Sequence, residues 1–131
     1  MSRRVLVTEH LAPRGLDAMR AAGLEVDERI GLTPPELLDS VRGAAALVIR
    51  SATRVTEEVL EAGADLVVVG RAGIGLDNVD VEAATRRGVM VVNAPQSNVL
   101  SAAEHTIALL LAQARNVTRA DADLKAGEWN R

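Results

Sequence analysis

Leu66-Val67-Val68-Val69-Gly70-Arg71-Ala72-Gly73-Ile74-Gly75-Leu76-Asp77-Asn78-Val79-Asp80 passes from an unbroken apolar run, through a glycine-rich bend with one arginine, into an acidic helix start. A short apolar run without alternation is expected of a strand buried on both faces, here Leu66 to Val69. Glycines 70, 73 and 75 would let the backbone approach a ligand, with the loop amides facing an anion. Gly73 and Gly75 also suggest a dinucleotide fingerprint, but Asn78 stands where its third glycine or alanine should be. The following strand, Val89 to Val92, leads to Asn93 and not to the acid that would hold a ribose. The stretch therefore reads as a loop for a small anion; a purely structural tight turn is the competing reading.

Outward from this stretch the chain alternates. Val5-Leu6-Val7 is expected as a first strand, and Pro13 opens a helix with apolar Leu16, Met19 and Ala22 that Gly23 ends. Leu24 to Asp27 alternates as an edge strand does. Thr33-Pro34-Pro35-Glu36 combines an N-cap, a proline start and a capping-box glutamate for a helix to about Arg42. Ala46 to Ile49 is a third strand, Thr56 to Gly63 a third helix, and Asp80 caps a fourth helix closed by Gly88. Strands and helices in this alternation predict an α/β fold: a five-stranded parallel sheet with helices on both faces and the flavodoxin-like order 2-1-3-4-5.

The last third differs. Ser101-Ala102-Ala103-Glu104 has the form of a capping box and precedes a helix whose residues 107 to 112 are all apolar. A helix apolar most of the way round needs two partners, so another domain or a second copy is expected against it, with exchange of the helix between copies as one route to a homo-oligomer. A further helix is expected over Val117 to Lys125, ending at Gly127, before Trp129-Asn130-Arg131. The domain division expected is 1–100 for the α/β unit and 101–131 for the helical segment.

Composition narrows the chemistry. With 131 residues, 48% of them hydrophobic and a net charge of −3, the chain belongs with ordinary globular proteins. It has no Phe or Tyr, one Trp and no basic block, which argues against nucleic acid and against the aromatic walls of a flavin site. The absence of Cys removes disulfides, thiol catalysis and thiolate metal sites, and fits a cytoplasmic setting. The apolar segment after the basic start Met1 to Arg4 is too short for a signal peptide or a membrane span.

Ligands of parallel sheets bind at the C-terminal strand edge. Strand three delivers Arg50 and Ser51 there, strand four Arg71 and the Gly73 loop, and strand five Asn93 followed by Pro95 to Asn98. Guanidinium forks suit carboxylate and phosphate oxygens, so a small molecule with two anionic ends is implied. The alternative is that Arg50 and Arg71 are solvated strand ends paired with acids such as Glu57 or Asp77. His10 could reach the same edge and His105 lies one turn into the long helix; each is read first as structural or solvated. No nucleophile triad, His-x-x-x-His or cluster of aspartates occurs, so hydrolytic and metal chemistry lack residues. Glu57 and Glu58 read as first-turn helix charges, and a phospho-acceptor domain would need an aspartate where Arg50 stands.

Four segments, Val48 to Thr53, Val69 to Asp80, Val92 to Pro95 with Asn98, and Ser101 to Glu104, closely resemble the phosphoglycerate dehydrogenase branch of the D-2-hydroxyacid dehydrogenase family. The resemblance covers the whole chain and implies the substrate-binding domain of an NAD-dependent enzyme of serine biosynthesis, acting on 3-phosphoglycerate or 3-phosphohydroxypyruvate. It implies substrate contacts from Arg50, Ser51, Arg71, Gly73 and Asn98, with the Ala72 to Ile74 amides near the substrate carboxylate. Ile74 would lie near the nicotinamide, where some relatives carry a hydroxyl. The resemblance places the catalytic histidine, glutamate and arginine, the Gly-x-Gly-x-x-Gly loop and the ribose acid in a dinucleotide-binding domain beyond the segment resembling Lys125 to Trp129. On this reading the 131 residues hold no catalytic residue, bind no NAD by themselves and catalyse nothing. Two other readings remain at this level: a stand-alone small-anion-binding or interaction module, and an unrelated enzyme using His10.

Overall fold

The computed structural model describes residues 3–129; Met1, Ser2, Asn130 and Arg131, named above at the two ends, lie outside the described residues. Contacts divide the chain between Ser97 and Asn98 into two compact units, each taken by itself.

The first unit is built on five parallel strands, β1 (Arg4–Val7), β2 (Glu25–Glu28), β3 (Ala46–Ile49), β4 (Val68–Arg71) and β5 (Met90–Asn93), in the order β2-β1-β3-β4-β5. Its helices are α1 (Pro13–Ala21), α2 (Pro34–Ser40), α3 (Glu57–Ala62) and α4 (Val81–Arg86). The expected topology is the one observed. Local chemistry sets the boundaries: α1 and α2 start on prolines, and Glu36 accepts hydrogen bonds from the Thr33 backbone N–H (2.8 Å) and hydroxyl (2.6 Å). The charged edge strand β2 is tied inward by Arg4, whose guanidinium donates to Asp27 at 2.8 Å and to the Ser40 carbonyl at 2.9 Å.

Side-chain alternation along the strands supplies two apolar faces. Leu6, Leu47, Ile49 and Val69 face one side, where they pack with Leu37, Val41, Val59, Leu60, Ala83 and Ala84 from α2 to α4 and the turns beside them. Val5 and Val7 face the other, against Leu16 of α1. That second face thins toward β5: Val68 and Gly70 are half-buried, while Met90 is 63% and Val92 43% exposed.

Some expectations shift. β4 begins two residues later than expected and takes in Gly70 and Arg71, because parallel pairing continues through Gly70 to Val48 on one side and Val92 on the other. Val67, expected in the strand, lies before it and is 58% exposed, and only Val69 of β4 is fully buried, so the strand is not buried on both faces. Ala22, expected on the apolar stripe of α1, is exposed, as the helix rests on Leu16 and Met19.

The second unit contains α5 (Val99–Ala114) and α6 (Val117–Lys125), which contact each other. The Ser101 capping box is not formed: α5 already begins at Val99 with Asn98 as its N-cap, and the Ser101 hydroxyl donates to the Asn98 carbonyl. α5 buries none of its residues, and Ile107, Leu109, Leu110 and Leu111 are each more than half exposed.

Candidate functional site

The C-terminal ends of β3 and β4 lie side by side, Ile49 in register with Arg71. Arg50 follows β3 directly, and its side chain and those of Ser51 and Ala52 are exposed. The backbone beneath them is held from two directions. From β1, the Glu9 carboxylate accepts from the backbone N–H groups of Arg50 (2.8 Å), Ala52 (3.1 Å) and Thr53 (2.9 Å), and the hydroxyls of Thr8 and Thr53 meet at 2.8 Å. From the turn after β4, the Asn78 amide group donates to the carbonyls of Arg50 (2.7 Å) and Thr53 (2.6 Å). Partial burial would raise the Glu9 carboxyl, but the three amides and the Thr53 hydroxyl outweigh it and hold the group below its ordinary value.

Asn78, nearly buried, also accepts from Arg71 Nε at 3.1 Å. One side chain therefore joins the guanidinium of β4 to the backbone that carries Arg50. A parallel bridge between Val55 and Val79 ties the same two loops once more. The Gly73 loop makes room for this guanidinium: a methyl group on Gly73 would overlap Arg71 Nη1 and lie 3.1 Å from Cζ. A methyl group on Gly75 would sit 2.7 Å from Asp77 Oδ1. Glycine at 73 thus leaves the room that the Arg71 guanidinium occupies.

The loop amides are mostly spoken for. Ala72 donates to the Ile49 carbonyl (2.8 Å) and Gly73 to that of Arg71 (2.9 Å), which leaves Ile74 as the amide of the three without a backbone acceptor among the described residues. The Ile74 carbonyl accepts from Asn93 at 2.7 Å, and the Ile74 side chain is 41% exposed. The first free amides of α4 meet the Asp80 carboxylate, which accepts from Ala83 at 2.9 Å. With Asn78 consumed internally, α4 capped by its own acid and Asn93 in place of a ribose acid, these residues do not fit a dinucleotide.

Arg50, Ser51, Arg71, Ala72, Gly73 and Ile74 thus share one edge of the first unit, whereas Asn98 belongs to the second, exposed at the start of α5 with its side chain making no cap bond. Among the described residues neither Arg50 nor Arg71 forms an ion pair, with Glu57 or with Asp77; Glu57 bonds Arg86 at 3.0 Å. His10 lines a cavity of about 600 Å³ together with Glu9, Arg50 and Arg54, and His105 is exposed on α5. No cluster of metal-ligating side chains occurs among the described residues, and no helix is long and apolar enough to cross a membrane. Glu9 carries no motif signal, and Asn78 enters the motifs only as the residue in place of a third glycine.

Residues 5–127 match the family described as D-isomer specific 2-hydroxyacid dehydrogenase, catalytic domain. The chain is 48% identical over 128 residues to D-3-phosphoglycerate dehydrogenase of Archaeoglobus fulgidus and 53% identical over 129 residues to the chloroplastic D-3-phosphoglycerate dehydrogenase 2 of Arabidopsis thaliana. These matches cover 98% of this chain but 24% and 20% of the relatives. Among solved structures, the TT0316 protein of Thermus thermophilus superposes with a TM-score of 0.88 at 40% identity, covering 98% of this chain and 42% of that one. The NAD-bound 3-phosphoglycerate dehydrogenase of Entamoeba histolytica shares the fold, with a TM-score of 0.76 at 24% identity over 86% of this chain and 39% of that one.

Proposed function

The chain belongs to the D-isomer specific 2-hydroxyacid dehydrogenases, and from that premise we propose that it is the substrate-binding part of an NAD-dependent 3-phosphoglycerate dehydrogenase. The observation that carries this reading is the pair of guanidiniums without ion pairs among the described residues, on adjacent strand ends, with Asn78 joining the Arg71 guanidinium to the backbone that carries Arg50. A phosphorylated 2-hydroxy acid presents two anionic groups to such a pair. Each charge-assisted hydrogen bond shielded from water contributes about 1.5 to 3 kcal/mol. Arg50 and Ser51 hold one end of the acid. Arg71 and the Ile74 amide hold the other.

The parent enzyme oxidises 3-phosphoglycerate in the cytoplasm, on the path to serine. NAD would supply the hydride acceptor when bound to the remainder of such an enzyme, and by the family resemblance Ile74 is the residue of this chain that would lie near its nicotinamide end. The chain spans about a quarter of the curated relatives it matches. The family resemblance assigns catalysis to a histidine, a glutamate and an arginine of a dinucleotide-binding domain, so on this reading the 131 residues by themselves bind and do not turn over. The test is an amide NMR titration of the 131-residue protein with 3-phosphoglycerate. Saturable shifts at Arg50, Ser51, Arg71 and Ile74 are expected. Shifts elsewhere only, or NADH production by protein free of host enzyme, would overturn this reading.

A further inference from the structure

We propose that Glu9 is a positioning residue for substrate: a built-in anion that fills the amide nest of the loop after β3, so that Arg50 and Ser51 are left to meet the incoming acid with their side chains. The inference rests on the substrate reading given above. Three backbone N–H groups within four residues converge on one carboxylate at 2.8 to 3.1 Å. Convergent amides of this kind form an anion site whether or not a ligand is present. Left empty, the nest would compete with the guanidiniums for the phosphate or carboxylate of the substrate. It would also leave the loop free to relax.

The loop's acceptors are satisfied in the same economical way, with the carbonyls of Arg50 and Thr53 taken by Asn78. Both backbone polar groups of Arg50 are therefore engaged inside the protein, and its guanidinium is the group that remains. A carboxylate beside an anion site works against binding by simple repulsion. Its charge here is spread over three donors, and the geometry it enforces outweighs the repulsion.

The experiment uses the 131-residue protein, with 3-phosphoglycerate and sodium formate as probes and amide NMR as the readout. For Glu9→Ala, 3-phosphoglycerate affinity should fall about tenfold or more. Added formate should shift the Arg50, Ala52 and Thr53 amides saturably and restore affinity, which chloride at equal ionic strength does not. Refilling by a one-carbon carboxylate is a response that lost packing would not give. Glu9→Gln, similar in shape but uncharged, should lose affinity and gain nothing from formate, because its side chain still occupies the nest. Wild-type affinity in either variant overturns the proposal, as does formate that shifts the amides without restoring binding. If Glu9→Ala does not fold, the Glu9→Gln affinity decides alone. A wild-type protein silent to 3-phosphoglycerate defeats the substrate reading, and the positioning role with it; a wild type that binds beside variants that bind equally well defeats the positioning role only.

Discussion

Gly73→Ala separates folding from binding. The new methyl group would overlap Arg71 Nη1 and crowd Cζ, so the guanidinium must swing away from the loop. Gly73 does not have a positive φ, so alanine brings no backbone strain of that origin. The atom displaced is the far end of a flexible side chain, and the fold loses chiefly the 3.1 Å charge-assisted bond from Arg71 Nε to Asn78, about 1.5 kcal/mol at this part-buried position. For a domain of this size that lowers Tm by roughly 5 to 8 °C. Binding loses at least as much, because a charge-assisted contact of about 1.5 to 3 kcal/mol corresponds to an affinity roughly 10- to 150-fold weaker. Thermal unfolding followed by circular dichroism gives the first quantity and an amide titration with 3-phosphoglycerate the second. Unchanged affinity in a folded Gly73→Ala protein would refute the placement of the Arg71 guanidinium in the site. A loss of stability well beyond about 3 kcal/mol would show that the glycine serves the backbone instead.

Gly70→Ala should behave differently despite sitting three residues away: its methyl group would meet Val92 and Val48 at 3.7 and 3.9 Å, ordinary contact distances, so stability and binding should both stay within about 1 kcal/mol of wild type by the same two assays. Acid should weaken the fold through Glu9. Its folded pKa is depressed, so its contribution is fully present above the ordinary glutamate value of about 4.3 and disappears as pH falls through the lower folded value. His10, Arg50, Arg54 and Glu58 line the same cavity. Denaturant melts between pH 6 and about pH 3 should show a shallower loss in Glu9→Gln than in wild type, with a residue due to Asp27, whose burial is outweighed by hydrogen bonds from Arg29 and Arg4. The exposed apolar residues of α5 should drive self-association, read as a mass above that of the monomer by light scattering and reduced by Leu110→Glu.

The alternation of strands and helices was legible because its punctuation is local: prolines at helix starts, the Thr33–Glu36 box, and glycines at 23, 43 and 88 that take positive φ. The edge position of β2 followed from its charge. The start of β4 was misplaced because Gly70 resembles a loop residue, whereas pairing to neighbours on both sides carries the strand through it. Ser101 misled in a similar way, since a Ser-x-x-Glu spacing can occur inside a helix whose first turn is set elsewhere. Arg50 and Arg71 could be picked out because they end adjacent strands. Glu9 could not, because one acid after one strand has no pattern; what makes it notable is a fold that brings residues 41 to 44 positions away onto its carboxylate. Asn78 was noticed only as a residue that spoils a glycine motif, and its three side-chain hydrogen bonds explain why a polar amide stands there.

Asn78 is bonded at once to a side chain from one strand end and to the backbone of the next. This makes it a strut that fixes the Arg71 guanidinium against the backbone from which Arg50 extends, so one cationic end is anchored while the other is an exposed arm. Acids of different length would then share the anchored contact at Arg71, and the exposed arm of Arg50 would swing to meet whichever second anionic group they carry.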